Sequence, residues 1–338
     1  MPRNTPFSLC SLMLSLTLLS GCTHAPLSPT PPNISLPYAR EHALQQDKKA
    51  LRQRVSKDQP LIALVLGSGG ARGYAHIGVI RMLEAYGIRP HFIVGTSAGS
   101  IVATLYASGK NADQMEKVAS MLKGSDVRDI TLSKQGFFNS KKVEDFVNKQ
   151  VDNRLLEQLP IPVFVVATEL KNGTRTVFNH GNTGQAVSAS VAIPSMFVPV
   201  RIDNRQYVDG GLISPVPVEV ARNLGADLII AVNILAQPEN TATTNIWGLF
   251  NQNINVMQNR LAAYELKEAD VVIQPNIKEK AHIFSLGSRN QTIIAGEEAT
   301  LFQMDKIQYE ISKAQEKIRR ENAVYPPAKQ LETVLSKP

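Results

Sequence analysis

Cysteine is almost missing from this 338-residue chain: Cys10 and Cys22 are the only two, and both lie near the N-terminus. The body of the protein therefore has no disulfide, no thiol nucleophile and no cysteine metal site. The six histidines (His24, His42, His76, His91, His180 and His282) lack the spacing of a metal-ligand set. No carboxylate-rich loop of the EF-hand type occurs either, so neither a metal nor another cofactor is expected. The net charge is +7, but there is no run of five or more basic residues and no nucleic-acid fold signature. Nucleic acid is therefore not an expected partner. A mild attraction to anionic lipid head groups remains open. The phosphate-loop pattern G-x-x-x-x-G-K-[ST] is absent, and no internal repeat is visible.

What is present is an ordinary globular composition, 43% apolar and 19% charged, in a chain long enough to bury a large core. Residues 1–21 stand apart. Arg3 is followed by an apolar run from Phe7 to Leu19, then by the small residues of Leu19-Ser20-Gly21-Cys22. This reads as a secretory signal peptide, short for a membrane span, with an uncleaved anchor helix as the alternative. The tetrapeptide also resembles the lipobox of bacterial lipoproteins. That resemblance implies cleavage before Cys22, diacylglyceryl attachment at its sulfur, and a lipid anchor of two or three acyl chains. It places the protein in a bacterial cell envelope, with Thr23 after the lipidated position pointing to the outer membrane, facing the periplasm. Pro26, Pro29, Pro31 and Pro32 mark an extended linker.

Beyond the linker, Tyr38 to Asp58 is polar and helix-compatible. Leu61–Leu66 is a short continuous apolar run, expected to be a buried strand. The glycine-rich Gly67-Ser68-Gly69-Gly70-Ala71-Arg72-Gly73 follows, then a helical pattern over His76–Tyr86 and a second strand, Phe92–Val94. Gly95-Thr96-Ser97-Ala98-Gly99 comes next, then an apolar helix over Ile101–Ala107. Strand, glycine loop, helix, strand, sharp turn and helix together predict a parallel crossover with both loops at the C-terminal edge of the sheet. Residues 111–158 read as a polar helical covering layer. Val163–Thr168 is a further buried strand, and Thr174–Phe178 alternates like an edge strand. Ala186–Ala192 and Val218–Leu224 read as helices, and Leu228–Val232 as a strand. Helical stretches over Ile246–Ala269 and Thr292–Arg320 flank a last strand, Val271–Ile273.

A serine hydroxyl needs a base to take its proton and donors for the oxyanion formed on attack at an acyl carbon. The G-x-S-x-G segment can present Ser97 at a strand-to-helix corner, with Gly95 and Gly99 small enough for close approach. Gly69 and Gly70 can aim backbone N–H groups at one point, with Arg72 adding positive charge. A glycine loop before a helix can equally cradle phosphate. The nucleotide fingerprints are absent, which favours the oxyanion reading.

These segments, with Ser188–Pro194 and Asp209-Gly210-Gly211 in that order, resemble the patatin-like phospholipases over roughly residues 61–233. The resemblance implies a three-layer α/β/α sandwich with a mostly parallel central sheet and a serine nucleophile elbow. It implies a Ser–Asp dyad without histidine, with Ser97 as nucleophile and Asp209 as base. The oxyanion hole would be formed around Gly69, Gly70 and Ala71, with Arg72 nearby. The expected substrate is a phospholipid or another acyl ester, attacked without metal. A base of this kind should sit in a partly desolvated cleft, because a solvated carboxylate is too weak. The expected organisation is a signal peptide over 1–21, lipidated Cys22, linker and short helix over 22–58, a catalytic domain over 59–235, and a mostly helical extension over 236–338. Three rivals remain at this point: a Ser97–Asp209–His282 triad, since only His282 follows Asp209, a non-catalytic lipid-binding lipoprotein on the same fold, and acyl transfer to an acceptor other than water, which would use the same acyl-enzyme.

Overall fold

The computed structural model describes residues 38–41, 44–122, 129–130, 133, 135–237, 244–277 and 289–324. Cys10, Cys22, the expected signal peptide and linker, and His282 lie outside the described residues. The described residues cluster into one compact unit.

An eight-stranded mixed sheet forms the middle layer. Its parallel part runs in the order β10 (Val271–Ile273), β9 (Leu228–Val232), β1 (Ile62–Leu66), β2 (Phe92–Thr96) and β5 (Val163–Glu169). The continuous apolar runs have a direct cause: both faces of these strands are covered. Ile62, Leu64 and Leu66 point into one core with Ile93, Val165 and Ile230. Ala63 and Val65 point into the other with Phe92, Val94, Phe164 and Ile229. The first core packs α2 (Tyr74–Ala85), α3 (Ala98–Ala107), α4 (Ala112–Met121), α5 (Lys141–Gln150), α6 (Thr183–Ser190) and α9 (Arg289–Val324). The second packs α1 (Leu44–Gln53), α7 (Val218–Asn223) and the end of α8 (Ile246–Glu265). This is the expected α/β/α sandwich.

β1 pairs with β2 on one side and β9 on the other. The strand order therefore reverses at β1, and its C-terminal end is the crevice where open α/β sheets take ligands. The glycine loop leaves the sheet at that point.

Three antiparallel strands complete the sheet: β6 (Arg175–Phe178), β7 (Val200–Ile202) and β8 (Arg205–Asp209). β6 has the expected edge position, but Thr176, Val177 and Phe178 are all buried. Residues 38–41 cover it: Arg40 bridges to His180, and the Val177 N–H donates to Glu41 Oε1 at 2.8 Å. The covering layer read as helical over 111–158 also contains a two-stranded ribbon, β3 (Asp129–Ile130) with β4 (Phe138–Asn139). Strands of two residues carry no readable periodicity.

The C-terminal region is built into the layers. β10 extends the sheet, and α9 packs on α2 through reciprocal glycines. A Cβ on Gly78 would lie 2.0 Å from the Ile293 carbonyl oxygen, and one on Gly296 would lie 2.1 Å from that of Ala75. Among the described residues no helix is long and apolar enough to cross a membrane.

Candidate active site

Ser97 sits between β2 and α3 with φ 54° and ψ −123°, a conformation a non-glycine residue adopts only when its surroundings hold it there. The flanking glycines make the corner possible. A Cβ on Gly95 would meet Ser100 Cα at 2.7 Å, and one on Gly99 would lie 2.1 Å from the Leu66 carbonyl oxygen. Both obstacles are backbone and cannot swing away. Two hydroxyls brace the turn. Ser190 Oγ accepts from the Ser97 N–H at 2.8 Å and donates to the Val166 carbonyl at 2.6 Å. Ser100 Oγ donates to the Ser97 carbonyl at 2.6 Å.

Sheet register brings Asp209 to this corner. β2 pairs with β5 up to Thr96↔Val166, and β8 pairs with β5 from Ala167↔Asp209 onward. β6 shares positions 165–166 of β5 with β2 and positions 167–168 with β8. It must therefore occupy the opposite edge from both. β2 and β8 run head-on along the same edge of β5, and Ser97 and Asp209 are the residues at which they meet. Ser97 Oγ donates to Asp209 Oδ2 at 2.6 Å. Asp209 Oδ1 accepts from the Gly211 N–H at 2.7 Å, and Thr168 Oγ1 donates to the Asp209 carbonyl at 2.9 Å.

Asp209 is 4% exposed. Burial pushes its carboxyl up from the usual range to about 6, against the opposing pull of the Ser97 and Gly211 hydrogen bonds. A carboxylate in this state holds a proton more readily than a solvated one and is still ionised at neutral pH.

The glycine loop forms a short 3-10 turn over Gly70–Gly73. The Arg72 N–H closes it onto the Gly69 carbonyl at 3.2 Å, and Arg72 Nε donates to the Ile234 carbonyl at 2.9 Å. Arg72 thus works to hold the loop, and Gly69, Gly70 and Ala71 are the residues at the opening of the turn. His76, fully buried, fixes the base of the loop: its Nε2 lies 2.9 Å from the Gly67 carbonyl oxygen. Burial lowers its pKa to about 4, so it stays neutral and is the hydrogen-bond donor.

Two cavities meet at Ser97. One, of about 190 Å³, is lined by apolar side chains including Ile77, Val102, Leu105, Met115, Val143 and Phe146. The other, of about 40 Å³, is lined by Ser68, Arg72, Asp209, Asn251, Asn255 and Gln258 among others. Ser97, Gly70 and Ile193 border both. Among the described residues, no three His, Cys, Asp or Glu side chains gather in a way that could hold a metal ion.

Residues 64–222 match the family model described as patatin-like phospholipase. An uncharacterized NTE family protein of Mycobacterium tuberculosis is 40% identical over 187 residues, 55% of this chain and 52% of that protein. The patatin-like phospholipase domain-containing protein 6 of Homo sapiens is 29% identical over 220 residues, 61% of this chain and 16% of that protein. The chain thus spans about half the length of the mycobacterial relative and far less of the human one. Among solved structures, VipD from Legionella pneumophila aligns with a TM-score of 0.44 and 14% identity, over 73% of this chain and 67% of that one.

The patatin-like segment contains Ser97, Asp209, the elbow glycines and the whole glycine loop. Two site elements lie beyond it. Glu265, at the end of α8, accepts from the Val216 N–H at 2.9 Å and from Ser214 Oγ, and so clamps the loop that follows Asp209. Ser214 in turn accepts at its carbonyl from Thr96 Oγ1 at 2.9 Å, next to the nucleophile. The amides Asn251, Asn255 and Gln258 are the other element. Sequence reasoning named none of these. Ser190 fell inside the Ser188–Pro194 block without a role.

Proposed function

We propose that this protein is a serine lipid-acyl hydrolase, of the phospholipase A, lysophospholipase or esterase kind, that works through a Ser97–Asp209 dyad and an acyl-enzyme. The observation that carries the reading is the 2.6 Å hydrogen bond from Ser97 Oγ to a buried Asp209 carboxylate. Asp209 Oδ2 takes the hydroxyl proton as Ser97 Oγ bonds to the acyl carbon. The N–H groups around Gly69, Gly70 and Ala71 stabilise the oxyanion. The ester C–O bond then breaks, and Asp209 returns the proton to the leaving alcohol oxygen. Water enters, gives a proton to Asp209 and attacks the acyl carbon, and Ser97 Oγ leaves and regains its proton. A fatty acyl tail suits the apolar cavity, since each buried CH₂ is worth about 0.8 kcal/mol.

The direct contact favours the dyad over a triad, because no imidazole fits between oxygens 2.6 Å apart. Replacing His282 by Ala tests this: near-normal turnover agrees with the dyad, and a thousandfold loss contradicts it. Lipid mass spectrometry of bacterial membrane lipids, incubated with wild type and with Ser97→Ala, tests the activity. Free fatty acid released by wild type alone is expected; release by neither would end the hydrolase reading. The proposed anchor is lipidated Cys22 at the bacterial envelope, supported by the Leu19-Ser20-Gly21-Cys22 resemblance. It predicts radiolabelled palmitate incorporation that Cys22→Ala abolishes.

A further inference from the structure

A surface helix ordinarily turns its apolar face to the protein and its polar face to water. α8 departs from this in part. Ile246, Met257 and Tyr264 are exposed at 75%, 58% and 69%. Asn251, Asn255 and Gln258, at i, i+4 and i+7 on another face, line the small cavity beside Ser97 and Asp209. Ala262, further along that face, anchors the end of the helix in the second core. Polar contacts add to this: Glu265 on Ser214 and Val216, and Asn259 Nδ2 on the Ala236 carbonyl at 2.8 Å.

The Gln258 amide reaches the catalytic groups. A Cβ at Gly211 would lie 2.4 Å from Gln258 Nε2 and 2.9 Å from both Asp209 Oδ1 and Ser68 Oγ. These three polar atoms surround one point, and a side chain at 211 would displace the amide from it. The Asn251 and Gln258 side chains make no hydrogen bond to another described residue.

The placement of Asp209 assigns the two cavities. The leaving oxygen must receive its proton from Asp209, so the alcohol half of the ester has to lie on the Asp209 side. Asp209 lines the small cavity, where the polar side chains gather, and not the large apolar one. Gly70 borders both, as an oxyanion donor at the junction should.

We propose that α8, which lies outside the patatin-like segment, builds the leaving-group subsite, and that Asn251, Asn255 and Gln258 there bind the hydroxyl-bearing part of the alcohol, such as a glyceryl group. The acyl chain runs the other way, along α3 beneath α4 and α5. The amides can donate to and accept from hydroxyls, which a cavity lined only by cations could not do. The volume of about 40 Å³ admits the small polyol portion next to the scissile oxygen. This inference rests on the hydrolase reading above.

The test compares two esters of one acyl chain, 1-octanoyl glycerol and p-nitrophenyl octanoate, on wild type, Asn251→Leu and Gln258→Leu. Labelling of Ser97 by a fluorophosphonate counts competent sites in each preparation. The expected result is at least a tenfold fall in the ratio of kcat/KM for the glyceryl over the nitrophenyl ester in each variant. That fall should be carried mainly by KM, because only the glyceryl ester loses hydrogen-bond partners. An unchanged ratio with intact labelling overturns the subsite and leaves the hydrolase reading standing. Failure of wild type to label or to cleave either ester overturns both.

Discussion

Replacing Asp209 with Asn should abolish turnover and stabilise the protein. The native carboxylate is buried, and its pKa is raised to about 6, against about 3.9 in an unfolded chain. Two pKa units correspond to about 3 kcal/mol at neutral pH, at 1.36 kcal/mol each. The sign follows from proton binding. Between pH 4 and 6 the folded state keeps its proton while the unfolded state has lost it. Wild type is therefore most stable below pH 4, loses stability as the pH rises to about 6, and changes little from this source above that. The substituted amide keeps the side-chain oxygen that accepts from Gly211 and carries no charge to desolvate. Any fixed cost of rearranging the Ser97 hydroxyl is the same at all pH values. The difference in Tm between Asp209→Asn and wild type should thus grow by about 5 °C between pH 4 and pH 7, for a chain of this size. Differential scanning fluorimetry across that range reads it directly. A Tm difference independent of pH would refute the argument that Asp209 is a desolvated base.

Activity should titrate with the same group. Log kcat/KM on a soluble ester should fall with unit slope below about pH 6, as Asp209 takes up its proton. Glu265 lies nearby and is pushed up by burial to about 7, so Glu265→Gln should leave the limb near pH 6 in place; its disappearance would assign the limb to Glu265. Gly99→Ala should prevent folding, with a cost above about 4 kcal/mol, because the added methyl meets the Leu66 carbonyl; a soluble cooperative variant by circular dichroism would count against the elbow geometry. Ser190→Ala should cost about 1–3 kcal/mol by denaturant unfolding, since it strands the Ser97 N–H and the Val166 carbonyl. It should also lower kcat by roughly tenfold with little change in KM, as expected for a positioning residue.

The elements that local pattern reveals are those whose environment is uniform along the chain. β1, β2, β5 and β9 are legible as apolar runs because two cores take alternate residues. Ser97 is legible because the elbow demands glycines at 95 and 99. Asp209 alone would read as an ordinary Asp-Gly turn; the ordered motifs mark it, and its meeting with Ser97 depends on the register of three strands on β5, which no local window contains. β6 alternates in sequence yet is buried, because its cover comes from residues 38–41, far away in the chain. The amides of α8 sit at helical spacing and look like a solvated face. Their role depends on what lies under the helix, and periodicity alone cannot supply that.

Ser97 should form the acyl-enzyme. Rapid mixing of the protein with p-nitrophenyl octanoate, followed by acid quench and peptide mass spectrometry, tests it most directly. A burst of nitrophenol equal to the enzyme concentration is expected if deacylation is the slower step, with an octanoyl adduct on the peptide containing Ser97 and neither in Ser97→Ala. An octanoyl adduct on another residue, or undiminished turnover by Ser97→Ala, would contradict the account.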